Sequence, residues 1–203
     1  MTHIKVDPFD KHSLHYKKWL IKIKYTDFKK PIYLVWLTDT LDNEDDKILT
    51  NANGQLIASN KADLLVNYII ATKHKLFDSR LTRTWAKKIK GIKPKQFVTY
   101  DFDKVLATKK TIDKDGLEEI ANFINLFTDL ITTTGDNKLA GLRRKRDLKE
   151  IWEYYYNNIF WPKFNDPKKF RTFKVKAYKN NLKLQLTLQK MTNEFVKRIK
   201  IVQ

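Results

Sequence analysis

The pattern of apolar and polar positions predicts two strands near the N-terminus. In residues 19–25, Trp19 and Ile21 lie on one side of the pattern and Lys22 on the other, which is typical of a half-buried strand. Residues 32–37 are apolar at every position, which predicts a second strand that is covered on both faces. Together the two segments predict the central part of a sheet.

Four further elements are predicted between residues 48 and 100, one of them a short helix that Thr82 caps and that ends at Gly91. Residues 48–59 indicate a hairpin, because Asn53 and Gly54 favour the positive φ angles of tight primed turns. A helix follows, with Asn60 as its N-cap. Its apolar face has the spacing of a helix laid on a sheet and consists of Leu65, Tyr68, Ile69, Thr72 and Leu76. Residues 96–100 predict one more strand.

Helices are predicted in the middle of the chain. Asp101 is placed to cap a short helix that ends near Ala107. Asp115 and Glu118 have the spacing of a capping box and indicate the start of a long helix that ends near Thr133. Residues 138–164 predict the next helix, and the short connection between the last two favours an antiparallel pair.

The predicted helix at residues 138–164 contains a basic cluster and the densest aromatic run of the chain. One stripe along it is apolar and consists of Leu148, Ile151, Trp152, Tyr155 and Ile159. Three i,i+4 pairs of opposite charge can neutralise much of the basic cluster; they are Arg143–Asp147, Arg146–Glu150 and Lys149–Glu153. Arg144 and Lys145 remain beside the apolar stripe. The helix is either a nucleic-acid surface or an amphipathic helix that holds the core together, and we interpret it mainly as a structural element.

The C-terminal part predicts a β-hairpin. Phe173, Val175 and Ala177 alternate with lysines, and four leucines alternate with polar residues over 182–188. A two-residue turn at Asn180-Asn181 places all the apolar partners on one face. A last short helix is predicted, capped by Thr192 and carrying Phe195 and Ile199.

These patterns predict an α+β protein. Its parts are N-terminal antiparallel strands covered by a helix, a central antiparallel helix pair, and a C-terminal β-hairpin with a short terminal helix. We expect a single domain over residues 1–203, with a strand-rich subregion at 1–110 and a helix pair plus hairpin at 111–203.

Composition adds a large positive charge. The 203 residues contain 41 basic and 23 acidic side chains, a formal charge of +18, which attracts polyanions or acidic protein surfaces. Lysine outnumbers arginine 34 to 7, so codon bias remains an alternative source of part of this charge. The chain has no cysteine and shows no secretory leader or membrane-spanning run, so we expect a cytoplasmic protein with no membrane partner.

Residues 80–95 form the best candidate for contact with a polyanion. No acid occurs between Asp78 and Asp101, so the segment cannot neutralise its own charge. The candidate phosphate-binding side chains are Arg80, Arg83, Lys87, Lys88, Lys90, Lys93 and Lys95, with Trp85 either stacking on a base or buried as an anchor together with Ile89. Arg144, Lys145, Lys174 and Lys176 are further candidates.

Catalytic motifs are absent from the sequence. Five glycines cannot build a phosphate-binding loop, and no nucleophile motif occurs. Asp27-x-Lys29, with Asp10 upstream, matches a nuclease tripeptide but falls in a predicted turn. His12, His15 and His74 have no metal-site pattern. We expect no metal, no cofactor and no catalytic residue.

Three functions therefore stay open. The first is a non-enzymatic binding protein for nucleic acid, through non-specific contacts of lysines with phosphates. The second is an immunity or inhibitor protein that binds an acidic partner such as a toxin. The third is a cryptic nuclease.

Overall fold

The structure, a computed structural model, describes residues 7–40, 44–107 and 110–203. The α-helices of this part of the chain are α1 (Pro8–Tyr16), α2 (Ala62–Ala71), α3 (Ser79–Ile89), α4 (Phe102–Val105), α5 (Lys114–Thr134), α6 (Asn137–Arg143), α7 (Arg146–Tyr155), α8 (Trp161–Asn165), α9 (Pro167–Phe170) and α10 (Leu182–Val196). A 3₁₀ turn covers Thr26–Phe28 and a π-helical turn covers Tyr156–Phe160.

The strands are β1 (Lys18–Lys24), β2 (Ile32–Asp39), β3 (Asp45–Ile48), β4 (Leu56–Ala58), β5 (Val98–Asp101), β6 (Thr111–Ile112), β7 (Tyr178–Lys179) and β8 (Ile199–Ile201). The chain combines helices with a largely antiparallel set of strands, so the predicted α+β class is confirmed.

The contacts divide the chain into two compact units. Unit 1 contains Met1–Tyr100, Thr132–Thr134 and Lys197–Gln203, and unit 2 contains Asp101–Ile131 and Gly135–Val196.

Unit 1 is built on a four-stranded sheet with the order β3-β2-β1-β5. The antiparallel register of β1 and β2 pairs Trp19 with Trp36 and Ile21 with Leu34. The indole rings of the tryptophans lie 5.1 Å apart, a cross-strand aromatic contact of the kind that stabilises sheets. The two predicted N-terminal strands are thus confirmed and lie in the middle of the sheet.

The predicted hairpin at residues 48–59 forms only in part. A bridge joins Thr50 to Leu56, and of the two turn residues only Gly54 has a positive φ, 71°. The turn is therefore not the predicted primed type. Strand β4 pairs instead with β8 in parallel, with Leu56 opposite Ile199. Ile199 was expected in a terminal helix, and that prediction is wrong.

The core of unit 1 lies between the sheet and helices α1–α3. Two of the five residues predicted for the apolar face of α2, Leu65 and Ile69, are buried in this core. Leu76 is buried there too, but it lies beyond the end of α2 at Ala71. Trp85 and Ile89 from α3 join them. The sheet faces and the helical stripes thus share one apolar cluster.

Unit 2 is organised by α5, whose buried residues include Phe123 and Phe127. The predicted helix is confirmed, but its N-cap is Asp113, whose carboxylate accepts from the Gly116 N–H. Asp101 caps α4, as predicted, by accepting from the Lys104 N–H at 3.1 Å.

The predicted helix at residues 138–164 is broken and longer than expected. It starts at Asn137 and is interrupted at Arg144 and Lys145, where Lys145 has an extended ψ of 136°. Beyond α7 it passes through the π-helical turn into α8, where Pro162 is the second residue.

The predicted C-terminal hairpin is wrong. Residues 182–188 belong to helix α10, and the side chain of Asn181, assigned to a turn, accepts from the Leu184 N–H at 2.9 Å as an N-cap. Leu184 and Leu188 are buried, whereas Leu182 and Leu186 are exposed. Each leucine pair is spaced i,i+4, so two apolar stripes of one helix reproduce the alternation of a strand. Thr192 lies inside this helix and does not cap a later one.

Candidate nucleic-acid interface

Helix α3 separates its residues into a buried and a cationic side. Thr82, Trp85, Ala86 and Ile89 are buried, with the i, i+3, i+4, i+7 spacing of one helical face. Arg80, Arg83 and Lys87 have i, i+3, i+7 spacing and lie on the opposite side. The helix is held in unit 1 by its apolar stripe, which leaves its cations directed away from the core.

Trp85 cannot serve as a stacking platform for a base. Its side chain is 0% exposed and belongs to the core of unit 1. The proposed stacking role of Trp85 is therefore wrong, and the alternative, burial as an anchor beside Ile89, is confirmed.

Arg83 has a structural role in unit 1. Its Nη2 group donates to the carbonyl oxygens of Thr72 at 2.9 Å and His74 at 3.1 Å. These carbonyls follow the last turn of α2, where unpaired acceptors and the negative end of the helix dipole favour a cation. Arg83 thus joins α3 to the end of α2.

The other predicted cations of this segment are exposed. They are Arg80, Lys87, Lys88, Lys90, Lys93 and Lys95. In the part of the chain that the structure describes, none of the six forms an ion pair with a carboxylate. Their charge is available to an external anion.

Sequence reasoning missed two cations of the same unit. Lys73 and Lys75 are exposed in the turn that follows α2, and this turn adjoins α3 through the bond from Arg83 to the His74 carbonyl. No local pattern connects residues 73–75 with residues 80–95. Their proximity results from the packing of α2 against α3. We call the exposed cations of residues 73–95 the α3 surface.

Arg144 and Lys145 lie in unit 2, at the break between α6 and α7. Arg144 Nε donates to the Ala140 carbonyl of its own helix at 3.3 Å. Lys145 lines a groove of about 470 Å³ whose apolar wall contains Leu142, Leu182 and Leu186. Both cations are exposed.

The neighbouring charges of α7 are largely neutralised. Arg146 pairs with Glu150 at 2.6 Å and Lys149 with Glu153 at 3.7 Å, so two of the three predicted pairs are confirmed. The third prediction is wrong because Arg143 and Asp147 have other partners. Arg143 donates to Thr128 Oγ1 and lies 5.9 Å from the centre of the Trp152 ring.

Asp147 is a buried carboxylate bound to α10. Lys183 Nζ lies 3.3 Å from its Oδ1, and Thr187 Oγ1 donates to its Oδ2 at 3.2 Å. Burial alone would raise the pKa of this carboxyl group. Bonds from the backbone, Lys183 and Thr187 outweigh burial and hold the pKa below its usual value. This carboxylate therefore stabilises the packing of α7 and α10 and is not a free acid.

Lys174 and Lys176 lie on an irregular segment between α9 and β7, since the predicted hairpin does not form there. Tyr154 donates its hydroxyl to the Lys176 carbonyl at 2.8 Å, which holds the segment on α7. Both lysine side chains are exposed, and neither forms an ion pair within the described residues.

Exposed aromatic rings are also found in unit 2. Trp161, Phe164 and Phe173 are exposed, and they alternate in the chain with the cations Lys163, Lys168, Lys169, Arg171 and Lys174. Phe173 was not a candidate because the hairpin prediction placed it in an apolar face, and Trp161 and Phe164 belong to the helix that was interpreted mainly as structural. The alternation of rings and cations was the available signal.

The nuclease candidates lie on separate elements. Asp27 lies in the 3₁₀ turn of unit 1, with Lys29 just after it, and Asp10 lies on α1. Over the described ranges, no three His, Asp or Glu side chains are placed to hold a metal ion. Likewise, none of the described helices combines the length and apolar character required to cross a membrane.

The fold belongs to the α+β class and has a counterpart among solved structures. The chain is similar to "The crystal structure of SatS c-terminal domain in complex with bromine", with a TM-score of 0.60 and 15% sequence identity over 94% of this chain and 96% of that one. At this identity the similarity shows a shared fold alone. No protein-family model matches the sequence, and no curated protein matches it.

Proposed function

We propose that this protein is a non-enzymatic binding protein for a polyanion, namely nucleic acid, which it contacts through the phosphate backbone. The observation that carries the proposal is the α3 surface, whose exposed cations have no carboxylate partner in the described chain. When such cations bind phosphates, they displace counterions that are condensed on the nucleic acid. The release of these counterions is the main source of sequence-independent affinity.

The composition of the α3 surface favours contacts with phosphates and little sequence-specific recognition of bases. Apart from Arg80 and the structurally occupied Arg83, its cations are lysines. Lysine binds phosphate as a point charge, whereas specific recognition of guanine typically uses a bidentate hydrogen bond from the planar guanidinium group of arginine. We therefore expect similar affinity for unrelated sequences.

The test is a titration of labelled DNA and RNA with the wild-type protein and a variant of the α3 surface, at about 0.05 M and about 0.2 M NaCl. The triple variant K87Q/K88Q/K90Q removes three unpaired cations. Its slope of log affinity against log salt concentration should be shallower by roughly 2–3, since each phosphate contact contributes about 0.9.

A matched control removes three cations that have carboxylate partners. In K104Q/R146Q/K149Q the lost charges pair with Glu119, Glu150 and Glu153, so the change in net charge is the same. A control effect as large as that of the α3 variant would contradict the placement of the site. Absence of binding at low salt would overturn the proposed function.

A second candidate function is binding of an acidic protein partner, such as a toxin. It is favoured by the groove of unit 2, where Leu142, Leu182 and Leu186 form an apolar wall and Lys145 and Lys190 supply positive charge. Such a groove fits an amphipathic acidic segment. The two candidates differ in salt dependence, because binding to one protein is stoichiometric and weakens less steeply with salt.

A further inference from the structure

A short segment of unit 2 combines the two features by which proteins hold single-stranded nucleic acid. Residues 161–176 contain three aromatic rings that are substantially exposed, Trp161 at 47%, Phe164 at 69% and Phe173 at 50%. Large apolar side chains are usually buried. Three exposed rings within so short a segment therefore need an explanation beyond the packing of the core.

Two of these rings, Trp161 and Phe164, are held by contacts with neighbouring rings. Phe164 is stacked on Phe160, with ring centres 6.1 Å apart and an angle of 8° between the planes. Trp161 meets Phe164 edge to face at 6.0 Å. Because these contacts fix the rings, stacking a base on them requires little further loss of side-chain freedom.

The buried stripe of α7 explains why the rings face outward. Tyr155 and Ile159 are buried, and the π-helical turn Tyr156–Phe160 follows α7 directly. At about 100° per residue, Trp161 and Phe164 fall on the side of the helix away from Tyr155 and Ile159 even without the π-helical turn. Both are exposed.

A pocket lies between α8 and the segment after α9. It has a volume of about 300 Å³ and is lined by Pro162, Asn165, Asp166, Lys169, Phe170 and Phe173. This volume equals that of roughly ten water molecules in the liquid, which is enough for one base. Phe170 and Phe173 form its aromatic wall, with ring centres 5.9 Å apart, and Asn165 provides amide groups for the edge of a base.

Cations are interspersed with the rings along this segment. They are Lys163, Lys168, Lys169, Arg171, Lys174 and Lys176, all of them exposed. The segment has one acid, Asp166, whose carboxylate caps α9 by accepting from the Lys169 N–H at 2.9 Å. No ion pair involves these six cations within the described ranges. Rings and phosphate-binding charges therefore occur together.

We infer that residues 161–176 bind single-stranded nucleic acid, with bases stacked on Trp161, Phe164 and Phe173 and phosphates held by the interspersed cations. This inference rests on the proposed function. In a duplex the faces of the bases are covered by stacking between base pairs, whereas in a single strand they are accessible to aromatic side chains. The α3 surface has no exposed aromatic partner of this kind, since Trp85 is buried, so strand selectivity belongs to residues 161–176.

The experiment compares a labelled oligothymidylate with a labelled duplex of the same length, using the full chain. The variant F164A/F173A should weaken binding of the single strand by about tenfold or more, since base–aromatic stacking contributes roughly 1–3 kcal/mol per base. Duplex binding should change by less than about twofold, because phosphate contacts remain.

The matched control is L14A/I201A, which shortens two comparably exposed apolar side chains of unit 1, at 61% and 50% exposure, that belong to neither candidate surface. This control should leave both affinities unchanged. An equal loss for single strand and duplex, or no loss in F164A/F173A, would overturn the inference while leaving the proposed function intact. A wild-type protein that binds neither probe at low salt would overturn both.

Far-UV circular dichroism of each variant shows whether it is folded. Since Phe164 and Phe173 are exposed, we expect native spectra. If F164A/F173A is misfolded, the single variant F164A provides the same comparison, with a smaller loss for the single strand that duplex binding does not share. A loss shared by both probes would again contradict the inference.

Discussion

At the scale of residues, Asp147 shows how a charged group is held inside unit 2. The carboxylate comes from α7 and its partners, Lys183 and Thr187, come from α10. A buried charge is stable only when it is paired and hydrogen-bonded. Asp147 meets both conditions, so it links two helices that are far apart in sequence.

The depressed pKa of Asp147 predicts a loss of stability in acid. Because the folded state favours the ionised form, the contribution of Asp147 is present above its unfolded pKa and is lost as pH falls through the lower folded value. The variant D147N should show a smaller decline in stability between about pH 5 and pH 2 than the wild type. Urea-induced unfolding at each pH measures the free energy of unfolding of both proteins.

The control for this prediction is D27N, which changes an exposed carboxylate in the 3₁₀ turn of unit 1. It should retain the acid dependence of the wild type. An unchanged profile in D147N would show that Asp147 makes no pH-dependent contribution.

At the scale of elements, α10 has two apolar stripes with different environments. Leu184 and Leu188 are 0% and 2% exposed, in line with Met191 and Phe195 of the same buried face. Leu182 and Leu186 lie on the groove of unit 2. A strand over the same residues would give all four leucines one environment, so substitutions distinguish the helix from the predicted hairpin.

We expect L188A to lower the free energy of unfolding by about 2–5 kcal/mol, because it leaves a cavity in the core. The matched variant L186A should change it by less than about 0.5 kcal/mol, since an exposed side chain loses little packing. Urea-induced unfolding followed by circular dichroism measures both. Equal destabilisation by the two variants would support a strand.

At the scale of the whole molecule, the formal charge of +18 opposes folding as well as attracting anions. Like charges repel in the compact state, and this repulsion extends over the Debye length. That length is about 30 Å at 0.01 M salt and about 10 Å at 0.1 M. Added salt should therefore stabilise the protein while it weakens binding to nucleic acid.

We predict that the midpoint of thermal unfolding rises by a few degrees between about 0.01 M and about 0.1 M NaCl, since about 1 kcal/mol corresponds to roughly 2–4 °C for a chain of this size. The variant K87Q/K88Q/K90Q should show a smaller rise, because it has less charge to screen. Circular dichroism at a fixed scan rate provides the measurement. A midpoint that falls with salt would contradict the argument.

Some features of the fold could be predicted because their causes are local. Alternation over β1 and the apolar run of β2 follow from the period of a strand, and the long apolar pattern of α5 follows from the period of a helix. The buried position of Trp85 and Ile89 was one of two alternatives offered by their i,i+4 spacing. Single-domain organisation stays a prediction.

The candidate site was predicted only in part. The cations of residues 80–95 were identified from the absence of nearby acids, a property of sequence alone. The turn at Lys73 and Lys75 was not, because only the packing of α2 on α3 brings it close. The exposed rings Trp161 and Phe164 were interpreted as part of a structural helix.

The sequence by itself determined the α+β class, the period of its most regular elements and the excess of positive charge. Tertiary structure decided which of two apolar stripes of α10 is buried, where Asp147 finds its partners, and which aromatic rings remain exposed. The physical reason is that periodicity records how side chains divide between the faces of one element. Burial depends on what covers each face, and that is supplied by residues distant in the chain.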